Sequence, residues 1–244
     1  MYFSLSLLIV ALAGFAQAQT PGNFTPQVNT KLEVVFNSTM VNTPGQTLSK
    51  ASTANQPQLA ISSARVNAAD TYMFVMLDLD VPPAQGNTTR RVLLHALITG
   101  FKATQQTIAG AATLLASPEK GPAAYLAPSP PATDSVPHRY VELLFTQPAA
   151  FNVPASEFAN VQARIGFNIN SFMRQNSLSA PIAANFFQVV GTANAVASGT
   201  ATATATNTGG IVRNTLQPFE GAVGKMEVSQ GLLGLLGGAV LLAV

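Results

Sequence analysis

Runs of apolar residues with the length of a β-strand dominate the middle of the chain. Four of them carry the pattern: Lys31–Phe36, Tyr72–Leu77, Val92–Ile98 and Tyr140–Phe145. The run Tyr72–Leu77 is apolar almost throughout, as expected of a strand that is covered on both faces. Proline and glycine separate the runs and mark turns. The pattern predicts a mainly β, single-domain fold.

Helical signals are fewer and shorter than the strand signals. Pro154–Phe158 is typical of one short helical turn, and Asn170–Gln175 of a second, with Ser or Asn as the capping residue. Residues 19–190 contain no internal repeat. We therefore expect one or two small helices beside the strands, in a domain that covers residues 19–190.

The beginning of the chain has the pattern of a targeting segment. Leu5–Ala13 is a short apolar run, and Ala16-Gln17-Ala18 is a small-x-small cleavage site before Gln19. The run is too short for a membrane-spanning helix, which needs about 20 residues. These features predict a secretory signal peptide over residues 1–18; the alternative is a buried N-terminal helix.

The end of the chain is apolar as well. Gly231–Val244 carries no charge and follows the polar spacer Lys225–Gln230, which is the pattern of a glycosylphosphatidylinositol (GPI) anchor signal. Residues 222–244 would then be removed, with the lipid attached at Gly221-Ala222 or at Asn214-Thr215. The alternative is a hydrophobic helix that packs on the domain.

Residues 191–221 link the predicted domain to this signal. They are rich in Thr, Ala and Gly and include an Ala-Thr repeat at 201–206, so they have too little apolar surface to fold. We expect an O-glycosylated stalk. N-glycosylation sequons begin at Asn23, Asn37 and Asn87. Together these segments predict a secreted glycoprotein that a GPI anchor holds at the plasma membrane or cell wall.

Composition excludes two classes of protein. Lys and Arg number 12 against 10 Asp and Glu, a net charge of only +2, and no basic cluster alternates with aromatic residues. This argues against nucleic-acid binding. The chain has no cysteine, so it has neither a disulfide framework nor thiol chemistry.

The chain has only two histidines, and both lie in strand-like runs. His95 has apolar residues on both sides. His138 shares one strand face with Tyr140, while Arg139 between them points the other way. Taken singly, a histidine in a strand is more often a core residue with satisfied hydrogen bonds than a ligand-binding group.

Two carboxylates precede a rigid turn. Asp78 and Asp80 are two residues apart, so an extended strand projects both from one face, and Pro82 follows. Neighbouring carboxylates repel each other and favour a proton, a metal ion or an imidazole as a partner. The motif alone is equally typical of a solvated strand end. With His95 and His138 it predicts a small polar pocket.

These motifs, in this order, resemble the phosphatidylethanolamine-binding protein family. Asp78–Pro82 is similar to the family's Asp-Pro-Asp-x-Pro motif. Tyr125–Pro131 with His138–Val141 is similar to the family's Pro-rich loop that ends in His-Arg-Tyr. The resemblance covers roughly Val34–Val190. The segments that carry it are Asp78–Pro82, the strand with His95, Tyr125–Pro131 with His138–Val141, Phe167–Asn170 and Ala183–Phe187.

The resemblance implies a β-sandwich-like fold with a pocket for phosphate, acetate or a phospholipid head group. It places the two aspartates and two histidines on the floor and the Pro-rich loop with Tyr140 at the rim. The ligand-binding residues implied are Asp78, Asp80, Pro82, His95, Pro128, Ser129, Pro131, His138 and Tyr140.

The chain departs from the family pattern at several positions. Leu79 stands where the family often has Pro, and Leu94 where it has an aromatic residue beside the first histidine. Ala127 or Ser129 replaces a loop glycine, and one extra residue separates the loop from His138. Because glycine permits close backbone approach, these changes imply a narrower rim and weaker binding.

Three functions are open at this point. The first is a non-catalytic binding protein without metal or cofactor, whose imidazoles bind an anion only when protonated and therefore bind phosphate better at mildly acidic pH. The second is an inhibitor of serine carboxypeptidases or other hydrolases, as some family members are, with Gln19–Lys31 in the contact. The third is a hydrolase that uses His95 or His138 as a base. The third is disfavoured because no nucleophile motif accompanies the histidines.

Overall fold

The computed structural model describes residues 17–191. These residues belong to the unit Met1–Thr200. The predicted signal peptide, stalk and anchor signal lie outside the described residues, except for Gln17, Ala18 and Gly191 at the boundaries. No helix within 17–191 is long and apolar enough to cross a membrane. All three sequon asparagines are exposed, and their glycosylation stays a prediction.

Nine β-strands form most of the described region. In chain order they are β1 Glu33–Phe36, β2 Thr39–Met40, β3 Gln46–Leu48, β4 Gln58–Ser62, β5 Tyr72–Val81, β6 Arg91–Ile108, β7 Ala112–Ala116, β8 His138–Thr146 and β9 Ala183–Val189. The helices are two 3-10 turns, Ser63–Arg65 and Ala155–Phe158, and two short α-helices, α1 Val161–Arg164 and α2 Ile169–Gln175. The prediction of a mainly β domain with short helices is confirmed.

The strands join in the order β2-β1-β4-β7-β6-β5-β8-β9-β3. Every neighbouring pair is antiparallel except β3 and β9, which are parallel. The long strand β6 connects the two halves of the sheet, because its first part pairs with β5 and its last part with β7. Strands β5, β6 and β8 lie side by side at the centre and supply the site described below.

All four predicted strands exist, but β5, β6 and β8 are longer than their apolar runs, and β6 by the most. The strand predicted as Val92–Ile98 continues to Ile108. Its apolar run ends near Gly100, which has a φ of +74° and lies beside a register shift between β5 and β6. A β-bulge bends a strand without ending it. Gly100 therefore lies at a bend inside one strand.

Both faces of the central strands are buried. Phe74, Leu144 and Phe187 belong to the core on one face, and Val75 and Leu143 to the core on the other. Successive residues of a strand point to opposite faces, so a strand between two cores must be apolar at nearly every position. Any polar residue on such a strand therefore stands out.

Glu142 on β8 is such a residue. It is 0% exposed, and neither of its carboxyl oxygens has a hydrogen-bond partner among the described residues. Its strand neighbours are Met76 on β5 and Asn185 on β9; the Asn185 amide donates instead to the carbonyls of Leu32 and Val41. Burial raises the pKa of Glu142 well above its usual value. The side chain is thus a neutral carboxylic acid in the core.

Glu142→Gln tests this state. In the unfolded chain a glutamate ionises near pH 4.3, whereas the folded chain keeps its proton. The contribution of Glu142 to the free energy of unfolding of the wild-type protein is therefore largest below that pH. Above it, this contribution falls by up to about 1.4 kcal/mol per pH unit. Glutamine has no proton to lose. The free energy of unfolding of the variant, measured with urea, should therefore rise relative to that of the wild type steadily between pH 4.5 and 7.5.

The matched control is Glu157→Gln, which makes the same change at an exposed position. It should leave the pH dependence of unfolding unchanged. A free-energy difference between Glu142→Gln and wild type that stays constant with pH would show that Glu142 is ionised in the folded protein.

Candidate functional site

A cavity of about 250 Å³ opens where β5 ends and β6 and β8 begin. Seven of the nine predicted ligand-binding residues line it: Asp78, Pro82, His95, Ser129, Pro131, His138 and Tyr140. The remainder of the lining is apolar: Val81, Leu93, Leu126, Ala127, Pro130, Val161 and Ile165. The cavity is therefore a mainly apolar chamber with a small polar group of side chains at one side.

Strand pairing brings the polar side chains together. Asp78 pairs with Tyr140 across β5 and β8 and with Leu93 across β5 and β6. The alternation of side chains along β8 puts His138 and Tyr140 on the same face. The rings of His95 and Tyr140 meet edge to face, with centroids 5.1 Å apart. Residues more than 40 positions apart in the sequence thus form one cluster.

His138 is held between two carboxylates. Its Nδ1 lies 2.7 Å from Oδ2 of Asp78, and its Nε2 lies 3.0 Å from Oδ2 of Asp134. Burial on its own would lower the pKa of His138, but the hydrogen bonds and negative charges of the two aspartates outweigh it and raise the pKa. Since carboxylate oxygens only accept, both ring nitrogens donate. His138 is therefore an imidazolium.

Asp134 is fixed from its other side by Arg90. The guanidinium donates to both carboxylate oxygens at 2.8 Å, and it also donates to the carbonyl of Asp80. The backbone N–H of Val136 adds a bond of 3.0 Å to Asp134. The Arg90 hydrogen bond is the main reason why the pKa of Asp134 is far below its usual value. Arg90 and Asp134 were not predicted as site residues from the sequence; the only local signal was the i, i+4 spacing of Asp134 and His138.

His95 is in the opposite state. Its Nδ1 lies 2.8 Å from the carbonyl of Leu126, which can only accept, so Nδ1 carries the proton. Its Nε2 is buried without a hydrogen-bond partner in the described region and is 3.9 Å from Oδ2 of Asp78. Burial lowers the pKa of His95. The ring is therefore neutral, with a free nitrogen beside the cavity.

The Tyr140 hydroxyl is also buried without a partner in residues 17–191. Burial raises its pKa far above the ordinary value, and the nearby charge of Asp78 adds to this effect. The hydroxyl consequently keeps its proton and can donate a hydrogen bond. Tyr140 and His95 thus supply the two buried polar atoms of the cavity lining that lack a partner.

The structure corrects the prediction for Asp80. Its carboxylate receives the Nε and Nη2 of Arg139 at 2.8 and 2.9 Å and the backbone N–H of Arg139 at 2.9 Å, and it does not line the cavity. A register shift between Asp78 and Val81 interrupts the alternation on which the prediction depended. Burial would raise the pKa of Asp80, but the Arg139 bonds outweigh it and lower the pKa.

Arg139 points away from the cavity, as predicted, and lines a separate hollow on the other side with Asn23 and Phe24. Pro128 is the second correction. It is buried within the Pro-rich loop, while its neighbours Ala127 and Ser129 line the cavity instead. The predicted rim is thus the loop, but without Pro128.

Close backbone contacts hold that loop in place. Leu126 donates to the carbonyl of His95 at 2.8 Å, and Lys50 donates to the carbonyls of Pro130 and Gly191 at 2.7 and 2.8 Å. A Cβ at Gly191 would lie 1.9 Å from the Pro131 carbonyl oxygen. Only glycine permits this approach. The chain therefore packs against the loop at a residue that sequence analysis assigned to the stalk.

The donor set does not form a metal centre. Within 17–191 no group of three or more His, Asp or Glu side chains is arranged to hold a metal ion. Asp78, His138 and Asp134 satisfy one another through hydrogen bonds. The buried groups of the lining that remain for a ligand are the His95 Nε2 and the Tyr140 hydroxyl, and the exposed Ser129 also lines the cavity.

Comparison with known proteins places the chain in a family. The model of the family "Phosphatidylethanolamine-binding protein" matches residues 38–187, more than half of the chain. The chain belongs to the phosphatidylethanolamine-binding protein family. The match spans both histidines, both aspartates of the first motif and the Pro-rich loop, so the family resemblance of the sequence motifs is confirmed.

Relatives within the family differ widely in what their names describe. "Phomoidride biosynthesis cluster protein N" of Talaromyces stipitatus is 31% identical over 198 residues, which is 76% of this chain and 96% of that protein. The "26 kDa secreted antigen" of Toxocara canis is 36% identical over 161 residues, 65% of this chain and 55% of the antigen. Among solved structures, carboxypeptidase Y inhibitor in complex with its proteinase aligns with a TM-score of 0.50 at 24% identity, over 67% of this chain and 84% of the inhibitor.

The pKa values of the two histidines should be shifted in opposite directions from that of an ordinary imidazole. Two carboxylates stabilise the cation of His138, and burial destabilises that of His95, so their pKa values should lie above and below about 6.5 respectively. Imidazole resonances in ¹H–¹⁵N NMR between pH 4 and 9 measure both. A pKa of His138 below that of His95 would refute the assignment.

Proposed function

We propose that this protein is a non-catalytic binding protein whose cavity holds a small anion, a phosphate or carboxylate group such as a phospholipid head group. The observation that carries the proposal is the pair of unsatisfied atoms, His95 Nε2 and the Tyr140 hydroxyl. Buried polar atoms are nearly always hydrogen-bonded. Two that lack a partner and belong to residues lining the same cavity are accounted for by a bound oxyanion.

The size of the cavity supports a head group as the ligand. Pockets for drug-sized ligands span about 300–1,000 Å³, and this one has about 250 Å³. A phosphate or carboxylate with a few attached atoms fits that volume, whereas a whole phospholipid does not. The apolar part of the lining, with Leu93 and Ile165, is suited to the carbon atoms next to the anionic group.

Anion binding at this site needs a proton. Neutral His95 presents a lone pair at Nε2, which would repel an oxyanion, while the protonated ring presents an N–H that donates to it. Because burial lowers the pKa of His95, the free protein is largely neutral at this residue at pH 7. Binding therefore strengthens as the pH falls toward that pKa, in agreement with the pH dependence expected from the sequence.

The surroundings of the histidines favour binding over catalysis. Both nitrogens of His138 donate to carboxylates, so this ring has no lone pair to act as a base. Neither imidazole hydrogen-bonds to a hydroxyl within 17–191, and a nucleophile activated by histidine requires such a contact.

We further propose that the protein is secreted, glycosylated and anchored at the cell surface by GPI, as its terminal sequences and exposed sequons favour.

The pH dependence of binding tests the proposal. Glycerophosphoethanolamine is a suitable probe because its phosphodiester stays singly charged from pH 5 to 7.5. We expect its affinity, measured by NMR titration, to fall by up to about tenfold per pH unit above the pKa of His95. Tyr140→Phe and His95→Ala should weaken binding at pH 5 by tenfold or more.

Two results would contradict the proposal: an affinity that is flat or rises with pH, or pocket variants that bind as well as the wild type. The control variant Arg65→Gln changes an exposed charge on the 3-10 turn Ser63–Arg65, away from the cavity. It should bind the probe as the wild type does.

A second candidate is a protein-directed inhibitor of serine carboxypeptidases. The likeness to carboxypeptidase Y inhibitor, over 84% of that chain, favours it. The segment Gln19–Lys31 was expected to make the contact. In the structure it is folded onto the domain rather than free, since Phe24 and Val28 belong to the core. Inhibition of carboxypeptidase Y that persists in Tyr140→Phe and His95→Ala, without binding of the small anion, would favour this candidate.

A further inference from the structure

His138 has no ring nitrogen left for a ligand. Asp78 accepts from Nδ1 at 2.7 Å, and Asp134 accepts from Nε2 at 3.0 Å. Asp78 comes from the adjacent strand β5, but Asp134 comes from the loop that precedes β8. The loop carboxylate therefore takes the place that an external oxyanion would occupy on the imidazolium.

Asp134 is a fixed anion rather than a mobile surface group. Its side chain is 9% exposed and makes two bonds of 2.8 Å with Arg90, and its own N–H donates to the Pro131 carbonyl at 3.0 Å. Two of the residues that it contacts, Pro131 and His138, line the cavity. Any ligand in the cavity lies within the electrostatic field of this carboxylate.

The charged side chains of the cluster are paired, three cations with three carboxylates. Arg139 pairs with Asp80, Arg90 with Asp134, and His138 with Asp78 and Asp134. The remaining nearby cations keep their charge and donate to backbone carbonyls; they are Lys50 to Pro130, Arg91 to Pro82, and Arg164 to Ala124 and Phe158. Like Asp134 they do not line the cavity, but unlike Asp134 none of them hydrogen-bonds to His95 or His138. The phenols of Tyr125 and Tyr140 are neutral, because burial raises the pKa of each.

We propose that Asp134 is a specificity-determining residue, a built-in counter-anion on His138 that restricts the cavity to singly charged anions. The inference rests on the proposed function and adds the charge of the ligand to it. Protonated His95 contributes one new positive charge, which matches one negative charge on the ligand. A doubly charged anion meets the repulsion of Asp134 twice over, because Coulomb energy is proportional to the ligand charge.

Sulfate and methyl sulfate are the probes for the test. Both have a tetrahedral sulfur with four oxygens, one of them methylated in methyl sulfate, and they carry two charges and one charge respectively throughout the pH range in which His95 titrates. At pH 5.5 the wild-type protein should bind methyl sulfate at least as tightly as sulfate. Asp134→Asn should tighten both, and because the repulsion scales with charge, the fold-change for sulfate should be about the square of that for methyl sulfate.

A second variant and a control keep the result unambiguous. Arg90→Gln removes the cation that offsets Asp134, so it should weaken both anions, again with sulfate affected by about the square of the factor for methyl sulfate. Asp70→Asn removes one negative charge just before the opposite end of β5 and should change neither affinity by more than about twofold. In Asp134→Asn the NMR pKa of His138 should fall.

The outcomes separate this inference from the proposed function. If the anions bind but Asp134→Asn and Arg90→Gln change both affinities equally or not at all, the charge selection is refuted and the anion pocket stands. If neither anion binds to the wild type or to any variant, and glycerophosphoethanolamine does not bind either, the pocket itself is refuted and the inference falls with it.

Discussion

The Asp78 carboxylate connects the parts of the site. One oxygen accepts from Nδ1 of His138 at 2.7 Å, and the other accepts from the backbone N–H of Asp80 at 2.7 Å. The first bond keeps His138 charged, and the second holds the irregular end of β5 at which Asp80 turns to Arg139. Because Asp78 is only 3% exposed, its charge has few other ways to be stabilised and the arrangement is costly to break.

Two histidines on neighbouring strands therefore have opposite protonation states for identifiable reasons. His138 lies between carboxylates and is a cation with no free nitrogen; His95 donates to a carbonyl and is neutral with one nitrogen free. Such divergence of neighbouring titratable groups marks functional sites. Here the two histidines have different roles. His138 holds the two carboxylates together, and His95 with Tyr140 provides the groups that can contact a ligand.

The sequence was sufficient to predict the features that depend on residues close together in the chain. Apolar runs located β5, β6 and β8, and side-chain alternation placed His138 with Tyr140 and away from Arg139. Prediction from the sequence failed where the position or the partner of a side chain depends on contacts between residues far apart in the chain. The bulge that turns Asp80 to Arg139 arises from pairing between strands, and the partnership of Arg90 with Asp134 joins two loops 44 residues apart. The bend at Gly100 was not predicted, because glycine occurs both in turns and at bends within a strand.

The most direct test of the account is the number of protons taken up when the anion binds. Calorimetric titration with glycerophosphoethanolamine at pH 7, in buffers of different ionisation enthalpy, measures that number. The account predicts an uptake close to one proton per anion bound, because His95 is neutral in the free protein and must be charged to donate from Nε2. Saturable binding with no proton uptake would contradict it, since the anion would then be held without the histidine that defines the site.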